Sequence, residues 1–343
     1  MAKNDGTQCV LLMRFSALGD VAIGLPVVYS LCAAYPQVRF VMLTRPVPAR
    51  LMVQCPHNLT VVGADVKGRY KGIGGLLRLA RELRRDYGIT AVADLHSVMR
   101  SWVIDASMRL SGIRVARIDK GRREKRQLTQ GRIHRQLATS QERYVAVLER
   151  LGFKVTDDFK GFSGLQSPLL PAKEAGQKWV AIAPFSQHRG KELPLTTISQ
   201  VMERLLASHP EVSLFLMGGG EQERRQLHAL AMQHGRTLSM ADAKHGFIDE
   251  FALFGQCDVM LSMDSANMHL ASLCRLPVIS VWGATHPYCG FMGWHQSQAD
   301  AVQLPLDCRP CSVFGQKPCR LGDYRCLTGI TPDMIIEKLE KYL

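Results

Sequence analysis

Apolar positions along this chain fall into two kinds of run. Short continuous runs of Val, Ile, Leu, Met and Ala occupy residues 8–14 (QCVLLMR), 38–44, 89–95, 179–183, 212–217 and 258–263. Such runs suit strands buried on both faces. Between them lie stretches with apolar side chains at helical spacing. The clearest is Gly72–Tyr87, where Leu76, Leu77, Leu79, Ala80 and Leu83 form one stripe among arginines. Helices are also predicted over 21–35, 46–55, 102–110, 139–151, 195–208, 221–234 and 248–256, and over 331–342 with Pro332 at its first position. Shorter strands are expected at 60–62, 113–118 and 278–282. Strands alternating with helices at this spacing imply parallel doubly wound sheets. Residues 153–176 show no period and hold Ser163, Gly164, Ser167, Pro168 and Pro171, which marks a linker. The expectation is two α/β domains, 1–165 and 166–330, with a closing helix over 331–343.

The stretch 258–287 organises the second series. After its first strand, Asp264 and Ser265 supply short oxygen side chains that cap a helix beginning near Asn267, and Pro277 leads into the next strand. So short a strand–helix–strand unit gathers its polar turns at the carboxyl ends of the strands, where open α/β sheets bind ligands. A helix N-terminus there offers N–H groups and partial positive charge, which suits a phosphate. Three other turns stand in equivalent places. Residues 15–20 (FSALGD) present Asp20 either as a general base or as a cap of the following helix. Residues 184–194 (PFSQHRGKELP) carry Ser186, Arg189 and Lys191, which with turn amides could hold a pyrophosphate; a plain surface turn is the alternative. Residues 218–221 (GGGE) lack the G-x-G-x-x-G spacing of a dinucleotide fold, which disfavours an oxidoreductase. Glu221 there, with Glu223 close behind, would stabilise its helix even without a ligand.

Composition narrows the partners. At 343 residues, 46% hydrophobic and 21% charged, the chain has material for two full cores and is not a disordered segment. Arg14 and Asp20 break the early apolar run, so no secretory signal is expected. The charge-free stretch 21–38 contains Gly24, Pro26, Pro36 and Gln37 and makes a poor membrane span, so a soluble cytoplasmic protein is expected. Residues 1–165 carry 27 Lys and Arg against 13 Asp and Glu; the rest carry 16 against 17. The whole excess behind the net charge of +13 therefore lies in the N-terminal half, which implies an anionic partner: a phosphorylated lipid, a membrane surface or nucleic acid. Its densest run, 114–135 (RVARIDKGRREKRQLTQGRIHR), reads as a solvated loop or an acceptor-binding loop.

The same turns carry a resemblance. DSANMHLAS, an apolar strand and GATHP together resemble the C-terminal signature of glycosyltransferase family 9, the ADP-heptose:lipopolysaccharide heptosyltransferases, D-[ST]-G-x-x-H-L-x-A followed by G-x-T-x-P. Asp264, Ser265, His269, Leu270, Gly283, Thr285 and Pro287 fit it; Ala266 stands where the family usually has Gly, and His286 where it often has Asp. SALGDV at 16–21 resembles S-[SA]-x-G-D-[VI]. Ser186 and the segment 191–194 resemble the family's Ser or Thr and Lys-x-[WL]-P. Residues 94–101 (DLHSVMRS) resemble D-x-x-G-x-x-[RK]-S, with Ser97 replacing Gly. The resemblance implies a GT-B fold, two Rossmann-like doubly wound domains facing across a cleft, acceptor on the first and nucleotide sugar on the second. It implies an inverting heptosyltransferase that moves heptose from ADP-heptose to an anionic, lipid-linked inner-core acceptor of lipopolysaccharide, in peripheral contact with the inner face of the inner membrane. Asp20 would be the base. Lys191, Ser186, Arg189, Asp264, Ser265, Ala266 and His269 would hold the donor and Glu221 its ribose. Lys67, Arg100 and Arg143 would meet acceptor carboxylates or phosphates. No catalytic metal is required if Lys191 and helix amides carry the leaving charge. Another nucleotide sugar is the nearest alternative. A noncatalytic basic protein bound to anionic membrane or nucleic acid is a different class, disfavoured because no nucleic-acid motif accompanies the charge.

Four of the ten cysteines, Cys308, Cys311, Cys319 and Cys326, form C-x2-C-x7-C-x6-C. In a reducing compartment such a cluster points to a closed structural Zn or Fe site, or to reduced thiols packing a small subdomain. The remaining six are scattered at apolar positions and read as core.

Overall fold

The computed structural model describes residues 8–242 and 245–343. The chain divides into two compact units: residues up to Gly121 with Ala138–Lys160, and Arg122–Leu137 with Gly161–Leu343. The first is built on five parallel strands, β1 (Cys9–Met13), β2 (Arg39–Thr44), β3 (Leu59–Gly63), β4 (Ala91–Asp94) and β5 (Arg114–Arg117), in the order β3-β2-β1-β4-β5. The second has six, β6 (Lys178–Ala183), β7 (Val212–Leu216), β8 (Thr237–Ser239), β9 (Val259–Met263), β10 (Val278–Val281) and β11 (Ala301–Val302), in the order β11-β10-β9-β6-β7-β8. Every pairing is parallel.

Both sheets start in the middle, run outward on one side, then cross back to fill the other. Connections therefore leave in opposite directions after β1 and β4, and after β6 and β9. Each such divergence opens a crevice at the carboxyl ends of those strands. The central strands are apolar along their whole length because helices cover both faces: every residue of β1, β4, β6 except Lys178, β9 and β10 is buried. Helix Gly72–Tyr87 buries Leu76, Leu79, Ala80 and Leu83 against this first sheet, while Leu77, expected in the stripe, faces out. In the second unit Ile198, Val201, Met202 and Leu205 of helix Leu195–Ser208 pack on β6 and β7 with Ile335 and Leu339 of the closing helix Pro332–Leu339. Each fully buried aliphatic side chain stabilises by about 1.5–3 kcal/mol relative to leaving it exposed.

Three expectations change. The helix expected over 46–55 ends at Ala49, because Pro46 and Pro48 allow only its first turn. The strands β8 and β11 were not expected at all. The basic run is not a bare loop: Arg122–Thr129 is a helix. Its one buried apolar residue, Leu128, packs with Leu137 and Cys289. The Leu137 N–H donates to the Tyr288 carbonyl at 3.0 Å, and the Lys125 ammonium lies 4.2 Å from the Phe291 ring centroid. Residues 122–137 thus pack with the second unit although they interrupt the first in sequence. They carry six of the cations and one carboxylate, so the first unit has 21 Lys and Arg against 12 Asp and Glu, and the second 22 against 18. Positive charge is spread over both. No helix among the described residues is long and apolar enough to cross a membrane.

Candidate active site

In the first unit the crevice lies between the turns after β1 and β4. Helix Leu18–Ala34 begins directly after the first turn, and Asp20 is its third residue. The Asp20 carboxylate accepts the Ala17 N–H at 2.9 Å and pairs with the Arg14 guanidinium at 2.7 Å. Asp20 is 27% exposed and Arg14 only 10%, so the cation lies behind and the anion in front. Arg14 is further held by the Leu95 carbonyl at 2.7 Å and stands over the Tyr144 ring. Burial disfavours its charge; Tyr144, Asp20 and Asp94 outweigh that and raise its pKa. The helix-capping role expected as an alternative for Asp20 is realised, and it leaves part of the carboxylate facing solvent.

The turn after β4 closes the other side. Asp94 is fully buried and accepts the His96 and Ser97 N–H groups at 2.9 and 2.8 Å and the Ser101 hydroxyl at 2.8 Å. Ser97 has φ +46°, the left-handed conformation that a glycine adopts most easily. His96 accepts the Phe15 N–H through Nδ1 at 3.3 Å. Burial, then the charges of Arg14 and Lys120, lowers its pKa to about 3, so it stands neutral beside Asp20. Sequence alone assigned neither Arg14 nor His96 a role in the site, although Arg14 lies just before the segment 15–20 and His96 inside 94–101. Of the expected acceptor cations, Arg100 sits in the first turn of helix Met99–Arg109 and is near enough to act on His96. Arg143 is held by the Ala138 and Asp119 carbonyls at 3.2 and 3.3 Å. Lys67 lies on an exposed turn whose N–H groups are taken by Asp65.

In the second unit the crevice lies between the turns after β6 and β9. Lys191 closes a short turn, Arg189–Lys191, and its ammonium meets the Asp264 carboxylate at 3.2 Å. The Thr285 hydroxyl donates to the same oxygen at 2.8 Å. Here the order is reversed: Lys191 is 15% exposed and Asp264 6%. Two glycines permit this closeness. A Cβ on Gly315, which has φ +77°, would stand 2.5 Å from the Lys191 side-chain stem, and one on Gly283 would stand 2.6 Å from the Gly190 carbonyl oxygen. Ser265 occupies the N-cap position of helix Ala266–Ser272, but its hydroxyl makes no capping hydrogen bond and lies 3.4 Å from that of Ser262, while Asp264 is taken by Lys191 and Thr285; the expected side-chain cap is absent. Ala266 opens that helix without a left-handed backbone, and His269 is buried within it. His286 caps the turn Pro287–Cys289 by accepting the Tyr288 N–H through Nδ1 at 3.1 Å. Burial lowers its pKa to about 4, so the neutral ring accepts as a carboxylate would.

Other expected donor residues are placed less directly. The Ser186 N–H is bound by Glu192 at 2.8 Å. Arg189 donates to the Glu192 carbonyl at 2.8 Å and stacks on Tyr324, 5.0 Å from its centroid. Glu221 is held by Arg224 and Arg225 at 2.6 and 3.1 Å, whereas Glu223 accepts the Gly219 N–H at 2.8 Å. Cys308, Cys311 and Cys319 share a neighbourhood with Cys326: burial pushes the Cys326 thiol up to about 11, and the other three add to its charging cost. Backbone N–H groups, that of Tyr324 first, hold the Cys319 pKa down. Among the described residues, however, no three His, Cys, Asp or Glu side chains stand where one metal ion could take them, so this arrangement does not fit a bound ion as it stands.

Residues 60–324 match the family model described as glycosyltransferase family 9 (heptosyltransferase). A curated lipooligosaccharide heptosyltransferase 2 from Campylobacter jejuni subsp. jejuni serotype O:6 is 24% identical over 178 residues, 51% of this chain and 54% of that protein. The chain thus spans about half the length of that curated relative. Among solved structures, the glycosyl transferase family 9 protein of Veillonella parvula DSM 2008 superposes with a TM-score of 0.73 at 18% identity, covering 98% of this chain and 97% of that one. E. coli heptosyltransferase WaaC with ADP-2-deoxy-2-fluoro heptose gives 0.68 at 16% identity, covering 98% and 100%. At such identities the likeness speaks for the fold, which is GT-B with two Rossmann-like units.

Proposed function

This chain belongs to glycosyltransferase family 9, and from that premise we propose that it transfers heptose from ADP-heptose to an anionic inner-core acceptor of lipopolysaccharide, with inversion. That it is a glycosyltransferase of the heptosyltransferase family follows from the family match; the donor, the acceptor and the residue roles are our reading. One observation carries it: Lys191, Asp264 and Thr285 meet across the second crevice, at the place where doubly wound sheets bind nucleotides. A solved relative, WaaC, holds an ADP-heptose analogue on the same fold.

In this reading the donor pyrophosphate lies against Lys191, Ser186 and the first amides of helix Ala266–Ser272. Asp20 takes the proton of an acceptor hydroxyl as that oxygen bonds to the sugar's anomeric carbon. The bond from that carbon to the β-phosphate oxygen breaks, and ADP leaves with the bonding pair. Lys191 offsets the charge gathering on that oxygen. Asp264, held by Thr285, keeps the ammonium in place and is a positioning residue. Arg14 does the same for Asp20, while Arg100 and Arg143 serve the anionic acceptor. Contact with the inner face of the inner membrane belongs to this proposal because the acceptor is lipid-linked.

The test is turnover of a panel of nucleotide sugars with inner-core acceptors, followed by mass spectrometry. A product heavier by one heptose, formed from ADP-heptose, is expected. Transfer of a different sugar, or none with any donor, contradicts the assignment.

A further inference from the structure

A cavity of about 550 Å³ opens within the second unit between helix Arg122–Thr129 and the cysteine-bearing loop 307–320. That volume is ample for a small organic ligand. Its chemistry is set by Arg126 on one wall and by Lys317 and Arg320 on the other, with the buried Arg309 behind and Asp307 as its one acidic side chain. Among the described residues, the side chains of Arg126, Lys317 and Arg320 make no ion pair or hydrogen bond. Arg309 donates to the Gly283, Trp282 and Thr285 carbonyls at 2.5, 2.9 and 2.9 Å and to the Gln303 side-chain oxygen at 3.1 Å. No carboxylate balances it, so its charge adds to the field inside.

Both walls are pinned. Leu128 and Leu137 fix the helix side by packing on Cys289. On the other side the Cys311 N–H donates to the Ala284 carbonyl at 3.1 Å, in the same turn that carries Thr285. Three cations without an ion-pair partner therefore line one cavity whose backbone walls are held in place, and an anion there would relieve their mutual repulsion. A phosphomonoester brings a charge of about −1.5 to −2 and three strong acceptor oxygens, a match for guanidinium forks and an ammonium.

We propose that this cavity is a phosphomonoester-binding site, separate from the Lys191–Asp264 crevice. The phosphate could be carried by the acceptor or by a free phosphorylated metabolite; only the first assignment rests on the heptosyl-transfer reading. The test titrates inorganic phosphate by calorimetry into full-length protein saturated with ADP, so that nucleotide-phosphate positions are filled. Wild-type protein should bind one phosphate, and the triple variant R126Q/K317Q/R320Q should bind it at least about tenfold more weakly. All three side chains are exposed, so the melting temperature should hold; if it falls, the three single variants carry the comparison. Unchanged phosphate affinity in the variants overturns the proposal. The second arm compares inner-core acceptor before and after phosphatase treatment. A KM raised in the triple variant relative to wild type for the phosphorylated acceptor, and not for the phosphatase-treated one, puts the group on the acceptor. Unchanged KM values beside lost phosphate binding point to a separate phosphorylated ligand, and either result supports the site. Wild-type protein that binds phosphate here but transfers no heptose would sink the proposed function and leave the cavity assignment standing.

Discussion

The two crevices occupy the same place on the same strand order, yet present opposite charges. After β1 a nearly buried arginine stands behind a carboxylate that reaches solvent. After β6 a nearly buried carboxylate stands behind the more exposed lysine. Topology fixes where a site can form; one ion pair, read from back to front, fixes what it can meet. The first crevice offers an acceptor for a hydroxyl proton. The second offers a cation for a departing phosphate. A transfer reaction needs one of each.

The largest effect expected from breaking this contrast is in Asp20→Asn. Loss of a general base should lower kcat by about 10²–10⁴-fold. The amide also leaves Arg14 without its counterion, so the melting temperature should fall too; full activity would return Asp20 to the capping role alone. In Lys191→Met, kcat should drop by about 10²–10³-fold, as for loss of one donor to developing negative charge. Wild-type turnover with this variant would remove the second crevice from the chemistry. Gly315→Ala sharpens the same point from a distance: left-handed φ and contact with the Lys191 stem should cost about 1–3 kcal/mol and reduce kcat, readable by denaturant titration beside kinetics.

The smallest effect is in pH dependence. Burial and the neighbouring Asp94 raise the Asp105 pKa to about 7, against the pull of Arg117 at 2.5 Å. The folded state then binds more protons than the unfolded between about pH 4 and 7, so stability from this group falls as pH rises through that window. For His96, lowered to about 3, the unfolded state binds more protons between about pH 3 and 6.5, and stability rises with pH. The opposed slopes offset in the wild type. Asp105→Asn should uncover the rising slope and His96→Gln the falling one; two variants with identical pH–stability curves would refute the account.

What could be read from sequence, and what could not, follows from how local each cause is. The central strands were readable because burial on both faces removes polar residues from them. Strand–turn–helix order puts Asp20, Lys191 and Asp264 at carboxyl ends, but it left Asp20 open to a capping role and Lys191 to a plain surface turn; the resemblance to family 9 motifs is what singled them out. Helix Arg122–Thr129 was not, since a lone apolar Leu128 carries no period and its partner Cys289 lies far along the chain. The edge strands β8 and β11, of three and two residues, are fixed by pairing with neighbours rather than by their own side chains. Arg14 was noticed only as a charge in an apolar run; its role needs the fold that sets it behind Asp20. Placing residues 122–135 of the basic run with the first domain failed for the same reason as the helix: the contacts that decide it are distant in sequence, whereas 114–121 do belong to the first unit.

The most direct test of the contrast is an ADP titration of three proteins, wild type, Lys191→Met and Asp20→Asn, by calorimetry. If the second crevice meets the phosphates and the first meets the hydroxyl, Lys191→Met should bind ADP at least about tenfold more weakly while Asp20→Asn stays close to wild type. Asp20→Asn losing as much ADP affinity as Lys191→Met, or Lys191→Met losing none, would contradict the account.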